Sequence, residues 1–480
     1  MATDFATNLQ LWAKTNGIII NSVAIKQSEN SGLGIFANDR IEISEKQQDE
    51  DEEPVTLISV PRNMIISAEM VTDYGLAYST SFNRLIDISG LSGREKIVRF
   101  FVFGLHEFAN PVRGAGPQAV FAPYFAGLPR IATTPVAWSD EKIARLYGTS
   151  IYEAVVAKRT VLAEEFDRFQ QVFEDSFGEH VRFEEYVVAD FIVSSRSMQV
   201  LVSETSESVA VGVVPVIDFA NHATNTADVT AKYEITNQDV RLELVSSSIE
   251  SGQEIKISYG RDRSTGEILF NYGFVEPEPE HDSIRTRVVL DDDDVVGKVK
   301  ERAYGKRALI ELGVDDQGRA SWECEFTWLL AATEEDGVRV QVAQDVDGTR
   351  TVEVVVAGTT AVHATGADLV RAVRHSLQAQ MADVYELRRV VIVRNMIDVW
   401  LDRLARAEAV DVEAGYRDDD DDDDDVVLRL RQREAHVLNT VGRELDRQRD
   451  ELVQSATVQV YLRGHGSSVD DHDEPGTDIR

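Results

Sequence analysis

PVIDFANH, at residues 215–222, is where the reading of this chain starts. An apolar, strand-like run at 209–216 leads into Asp218, Asn221 and His222. Polar side chains at the point where backbone leaves a sheet are placed as functional groups often are. Upstream lies Ser195-Arg196, after a helical pattern at 183–192. Downstream, ISYG at 257–260 ends a strand pattern, and NYGFV at 271–275 follows a short helical pattern at 265–270. These stretches put an arginine, an asparagine–histidine pair and two tyrosines near strand ends. No metal cluster, phosphate loop or nucleophile elbow accompanies them.

Residues 1–90 read as a first helix and then strands. Phe5, Leu9, Leu11 and Trp12 fall roughly on one side of that helix, and Asn16-Gly17 ends it. Gly32-Leu33-Gly34-Ile35-Phe36-Ala37 matches the loose glycine fingerprint of dinucleotide-binding folds. That fingerprint needs a helix immediately after it. Here a short strand, an acidic loop and another strand follow, so the glycines read as a turn where backbone can approach a ligand. Residues 91–194 read as a helical insertion. Its long amphipathic helix at 151–177 carries a core stripe of Val155, Leu162, Phe166, Phe169 and Phe173. Strands return across 195–285, with 227–235 and 240–246 forming a hairpin. Residues 286–464 read as mostly helical, with the aspartate run 418–425 in a solvated loop, and 465–480 as a disordered tail. Strands, helices, strands and helices in that order lack a βα rhythm, so the fold class is α+β and not a doubly wound sheet.

Composition narrows the function. At 480 residues the chain can hold two or three domains with real cores. Its formal net charge is −35, which disfavours a nucleic-acid partner and suits a basic one. Cys324 is the only cysteine, so no internal disulfide or cysteine-based zinc cluster can form. His222 beside Asp218 has no second histidine nearby, and no metal is expected. No apolar run approaches the roughly 20 residues of a membrane helix. The N-terminus has neither secretory nor transit character. The expected location is the cytoplasm, or the nucleus by diffusion or import, and the expected state is a monomer.

SGLGIFA at 31–37, Ser195-Arg196, PVIDFANH and NYGFV, in that order, resemble the SET-domain protein methyltransferases. Within them the chain resembles the Rubisco lysine methyltransferase-like branch. FAPYF at 121–125, GLP at 127–129 and LYGT at 146–149 resemble the same branch. The resemblance is specific up to about residue 285 and rests on helical character alone beyond it. It implies a SET β fold with a pseudoknot, a helical insertion, and a helical substrate-binding domain after it. It implies S-adenosylmethionine as cofactor, held by Ser31, Gly32 and Leu33 through backbone, with Phe274 in the same pocket. Arg196 would take its carboxylate, Asn221 its amino group, and His222 its adenine through backbone. Relatives often carry an acidic residue at the Ser31 position, so this chain departs there. The implied partner is a protein presenting a lysine. Tyr272 would orient the amine and Tyr259 would line the channel opposite it, with Met198 and Asp218 as further channel residues. Each role is chemically reasonable: guanidinium binds carboxylate as a fork, and a carboxamide oxygen accepts from ammonium.

Two rivals stand beside lysine methylation. A protein-histidine methyltransferase of the same fold is disfavoured by Tyr272 and by Met198, an apolar wall where an imidazole would want a polar partner. A non-catalytic SET adaptor has no need of Arg196, Asn221, His222 and Tyr272 together. A dehydrogenase rests on the glycine loop alone.

Overall fold

The computed structural model describes all residues except 1, 30–31, 44–53, 109–118, 204–205, 261, 277–278, 289, 291–292, 345–347, 349, 357–359, 363, 414–424 and 466–480. Ser31, most of the aspartate run and the expected disordered tail therefore lie outside the described residues. The chain forms two compact units. The first holds Met1–Ala144, Tyr152–Arg263 and Glu267–Glu280; the second holds Arg145–Ile151, Ser264–Gly266 and the chain from His281.

In the first unit one sheet runs Ile19–Ile20, Thr56–Pro61, Asp239–Leu244 and Ala231–Ile235 in spatial order. The expected hairpin is there, with Ile235 opposite Val240. Leu57, Ile58 and Val60 are all buried, as a run of consecutive apolar residues requires. A second sheet runs Val23–Gln27, Leu33–Ala37, Glu254–Ile257 and Asn221–His222. The glycine stretch is thus a strand entry, and no helix follows it. A third sheet places Ser206–Val213 between Ile66–Ser67 and Ser197–Ser203.

Two local expectations change. The helix expected at 183–192 runs on as Phe183–Arg196, and a strand, Ser197–Ser203, begins at once. The strand expected at 209–216 stops at Val213, because Val216 takes φ +76° and turns the chain into the short 3-10 helix Ile217–Phe219. A β-branched residue rarely holds that conformation, and its cost is about 1–3 kcal/mol.

The insertion's apolar helix, Gly93–Glu107, starts at a reciprocal cap: Ser92 Oγ accepts from Glu95 N, and the Glu95 carboxylate accepts from Ser92 N. Phe100, Phe101 and Phe103 pack edge to face or tilted against Tyr74, Phe82 and Phe125. A Cβ on Gly104 would collide with the Phe125 ring, so glycine is what lets that ring in.

The second unit has the expected helices, the longest being Ala382–Glu413 and Val426–Val453. Against the expectation of a mostly helical region, it also carries two three-stranded sheets, Asp282–Arg287 with Leu309–Val314 and Ala320–Glu323, and Val338–Gln344 with Arg350–Val356 and Thr360–Val362. Val393, Ile397, Leu404, Val437, Val441 and Leu445 share one core with Ile284, Leu312 and Val354. Asp425, the last residue of the aspartate run, immediately precedes a helix and is fixed there. Its carboxylate caps the helix Val426–Val453, accepting from Val427 N at 3.0 Å, and pairs with Arg145.

Glu434 is buried in this unit and accepts from Ser150 N at 3.0 Å and Ser150 Oγ at 2.5 Å. Burial pushes its carboxyl up to about 7 against those bonds, and the nearby Asp282 charge adds to the rise. A raised folded pKa means the stability contribution is full below the ordinary value of 4.5 and is lost as pH rises through about 7. Glu434→Gln keeps an acceptor for Ser150 and removes the titration. It should unfold near the wild-type temperature at pH 5 and be more stable by about 2–3 kcal/mol at pH 8. Thermal unfolding followed by circular dichroism at both pH values checks this; equal stability at pH 8 contradicts it.

Candidate active site

The site is built on the second sheet of the first unit. Its central strand, Glu254–Ile257, pairs antiparallel with Leu33–Ala37, placing Ile255 opposite Ile35. On its other edge it pairs parallel with Asn221–His222, placing Lys256 opposite Asn221 and Ile257 opposite His222. A parallel pair needs a long crossover. Here the chain leaves His222, forms the hairpin of the first sheet, and returns beside its own start. The glycine strand and the asparagine–histidine pair are thus brought to one strand.

Asn221 Nδ2 donates to Leu33 O at 3.2 Å and to Glu254 Oε1 at 2.7 Å. Both partners are acceptors, which orients the amide and leaves Oδ1 without a partner among the described residues. A Cβ on Gly34 would collide with Glu254 Oε1 and stand 2.9 Å from Asn221 Nδ2, so glycine gives this contact its room. Gly32 has φ +76°, with open space where a side chain would be.

Arg196 ends the helix Phe183–Arg196. Its Nη1 donates to Asp218 O at 2.8 Å and to Asp218 Oδ2 at 3.2 Å. The Asp218 side chain is 0% exposed, and Tyr124 Oη donates to the same Oδ2 at 2.7 Å. Two buried polar atoms remain without partners, Arg196 Nε and Asp218 Oδ1. Burial opposes the Arg196 charge, yet Asp218 beside it holds the guanidinium above its ordinary value. Asp218 is thereby placed as the partner of Arg196 and Tyr124.

An aromatic column closes the other side. His222 and Tyr259 stack at 5.0 Å between centroids, and Tyr259 and Tyr272 stack at 4.5 Å, both at 25°. Phe274 tilts against His222 and Tyr272. Both His222 nitrogens are engaged: Nδ1 accepts from Tyr259 N at 3.1 Å, which puts the proton on Nε2, 2.8 Å from Glu276 Oε1. Tyr259 Oη donates to Ala220 O at 3.1 Å, and burial pushes the phenol up to about 12. Tyr272 ends the helix Thr265–Tyr272, and its hydroxyl has no partner among the described residues. Burial raises its pKa as well, so it is a neutral phenol at physiological pH. Thr133 Oγ1 donates to Tyr272 O at 3.3 Å, and a Cβ on Gly273 would collide with Thr133.

Asn221 is tied to Leu33, and His222, Tyr259, Tyr272 and Phe274 are linked by ring contacts. Arg196 forms a separate cluster with Asp218 and Tyr124. Met198 lies on the edge strand Ser197–Ser203, half-buried opposite Gly212. Sequence reasoning missed Tyr124, Glu254 and Glu276. Tyr124 lies in an aromatic stretch with no visible polar role, and no motif singles out either glutamate. The arrangement offers a cationic donor edge at Arg196 and a neutral acceptor at Asn221, the polarity that an amino-acid zwitterion requires.

No protein-family model matches the chain. "SET domain-containing protein 8" of Schizosaccharomyces pombe is 26% identical over 340 residues, covering 69% of this chain and 72% of that protein. The chloroplastic [fructose-bisphosphate aldolase]-lysine N-methyltransferase of Arabidopsis thaliana is 23% identical over 60% of this chain. Actin-histidine N-methyltransferase of Mus musculus is 22% identical over 64% of it. The matches span 55% and 48% of those two relatives' own lengths. Among solved structures, the SET domain of LSMT bound to lysine and AdoHcy superposes with a TM-score of 0.62 over 97% of both chains, at 16% identity. Rubisco LSMT bound to AdoMet does so with a TM-score of 0.57 over the same share. At that identity the likeness is one of fold.

Proposed function

We propose that this chain, which has the fold of Rubisco LSMT and is similar to a SET domain-containing protein, is an S-adenosylmethionine-dependent protein-lysine N-methyltransferase acting on a non-histone, cytoplasmic protein. The observation that carries this reading is the Arg196 guanidinium, whose buried Nε has no partner among the described residues.

The residues fit the methyl donor. Arg196 Nη1 is spent on Asp218, and its Nε–Nη2 edge has no acceptor among the described residues, as a carboxylate would require. Asn221 Oδ1 faces away from its two acceptors and can take the ammonium. Open backbone at Gly32 allows close approach. When bound, S-adenosylmethionine supplies a methyl group on a cationic sulfur, open to in-line attack by an amine.

What this chain contributes is alignment and a proton state. A lysine ammonium, with a reference pKa of about 10.4, has to lose its proton before it can attack. An aromatic wall of Tyr259, Tyr272 and Phe274 lowers that pKa by desolvation. The neutral Tyr272 hydroxyl, without a partner among the described residues, can hold the amine with its lone pair aimed at the methyl. An imidazole acceptor would want a hydrogen-bond partner to fix its tautomer, and Met198 provides an apolar side chain instead. Lysine is therefore favoured, although the relatives include a histidine enzyme.

Incubating a proteome with labelled S-adenosylmethionine and wild-type protein, with Tyr272→Phe as control, tests this reading by mass spectrometry. Methyl groups on lysine, absent with the variant, are expected. Methyl groups on histidine overturn the acceptor assignment. Cofactor binding without any transfer favours the adaptor.

A further inference from the structure

We propose that Tyr124 and Asp218 are positioning residues that aim the open edge of the Arg196 guanidinium at the methyl donor's carboxylate. This rests on the methyl-donor reading above and gives Asp218 a role other than lining the acceptor channel.

A carboxylate and a guanidinium left to themselves close as a two-bond fork. Here they do not. A single nitrogen, Nη1, takes both contacts, one from the Asp218 carbonyl and one from Oδ2. Tyr124 Oη occupies that same Oδ2, which keeps the carboxylate from swinging round to offer both oxygens to Arg196. The pair is thus held half open, with Arg196 Nε and Asp218 Oδ1 buried and without partners among the described residues. A pair serving packing alone would gain by closing them, since unmet buried polar atoms are destabilising. An open donor edge is useful when a ligand completes it.

Three features keep the pair in this state. The Tyr124 ring is fully buried, stacked on Trp12 at 6.2 Å and 17° and set edge-on to Phe125 at 5.8 Å. Trp12 is itself anchored, its Nε1 donating to Val120 O. The Val216 turn, with φ +76°, carries Asp218 so that its carbonyl and carboxylate both meet Nη1. Phe219, on the same turn, lies against the guanidinium at 5.5 Å. Strain of this kind persists where surrounding structure over-determines it. Tyr124 sits on the helix Ala122–Phe125 of the insertion, so the insertion contributes to the donor site itself.

The test separates carboxylate recognition from general integrity by using two ligands. S-adenosylhomocysteine has the amino-acid carboxylate; 5′-methylthioadenosine lacks it. Calorimetry on the full-length chain should show Tyr124→Phe and Asp218→Asn weakening S-adenosylhomocysteine about tenfold while methylthioadenosine stays within about twofold of wild type. Equal losses for both ligands would mean a structural role and overturn the proposal, as would unchanged S-adenosylhomocysteine affinity in both variants. Tyr124→Phe removes one hydroxyl from an aromatic pocket and keeps the ring, so it remains informative if Asp218→Asn misfolds. Wild-type protein that binds neither ligand would overturn the methyl-donor reading beneath it.

Discussion

Tyr272→Phe is expected to lower the rate of methyl transfer at saturating substrate by about a hundredfold or more while leaving affinity for S-adenosylhomocysteine unchanged. The ring is held without its hydroxyl. It stacks on Tyr259 at 4.5 Å, meets Phe274, and has its backbone carbonyl tied to Thr133 Oγ1 at 3.3 Å. Phenylalanine preserves all of these contacts. What it removes is a phenol that makes no hydrogen bond to the described protein, so the folded state loses nothing by its absence. The effect should therefore fall on orientation of the acceptor amine. Single-turnover kinetics beside calorimetry separate the two quantities. A variant that binds cofactor as well as wild type and transfers methyl as fast would remove Tyr272 from the chemistry.

Asn221→Ala should weaken the cofactor by roughly tenfold to a hundredfold, the range for losing a hydrogen bond to a charged group. Two effects add. The carboxamide oxygen that would meet the ammonium disappears. Leu33 O and Glu254 Oε1 also lose their shared donor, at 3.2 and 2.7 Å, so the glycine strand loses a side-chain tie to the asparagine–histidine strand. Asn221→Asp separates shape from charge. It keeps an oxygen for the ammonium but sets a second carboxylate against Glu254 at hydrogen-bond distance, and the local pairing should suffer from like-charge repulsion. Calorimetry with S-adenosylhomocysteine reads both variants. An alanine variant with wild-type affinity would contradict the assignment of Asn221.

Much of the first unit was readable from residue pattern. Strand alternation and turn residues give the hairpin Ala231–Ile235 and Asp239–Leu244, and the helical stripe gives Tyr152–Phe177, with Val155, Leu162, Phe166, Phe169 and Phe173 all buried. The sheets of the second unit fell outside the expectation of a mostly helical region, although the valine alternation of Val338–Gln344 and the β-branched residues of Arg350–Val356 carry a strand pattern. Asp425 looked like the eighth residue of a charge run. It became a helix cap because backbone N–H groups at a helix start need an acceptor, and which aspartate supplies it depends on where the helix begins.

The amino-acid order by itself determined the α+β class, the helical insertion, and the set of groups near residues 195–274, because these follow from local periodicity and residue chemistry. Folding determined which of those groups are left open. Arg196 meets a carboxylate 22 positions away that a phenol from the insertion also holds; Tyr259 closes its hydroxyl on Ala220, while that of Tyr272 has no partner among the described residues. A hydrogen bond depends on where two atoms meet in space, and sequence spacing does not specify which partners a buried polar atom finds.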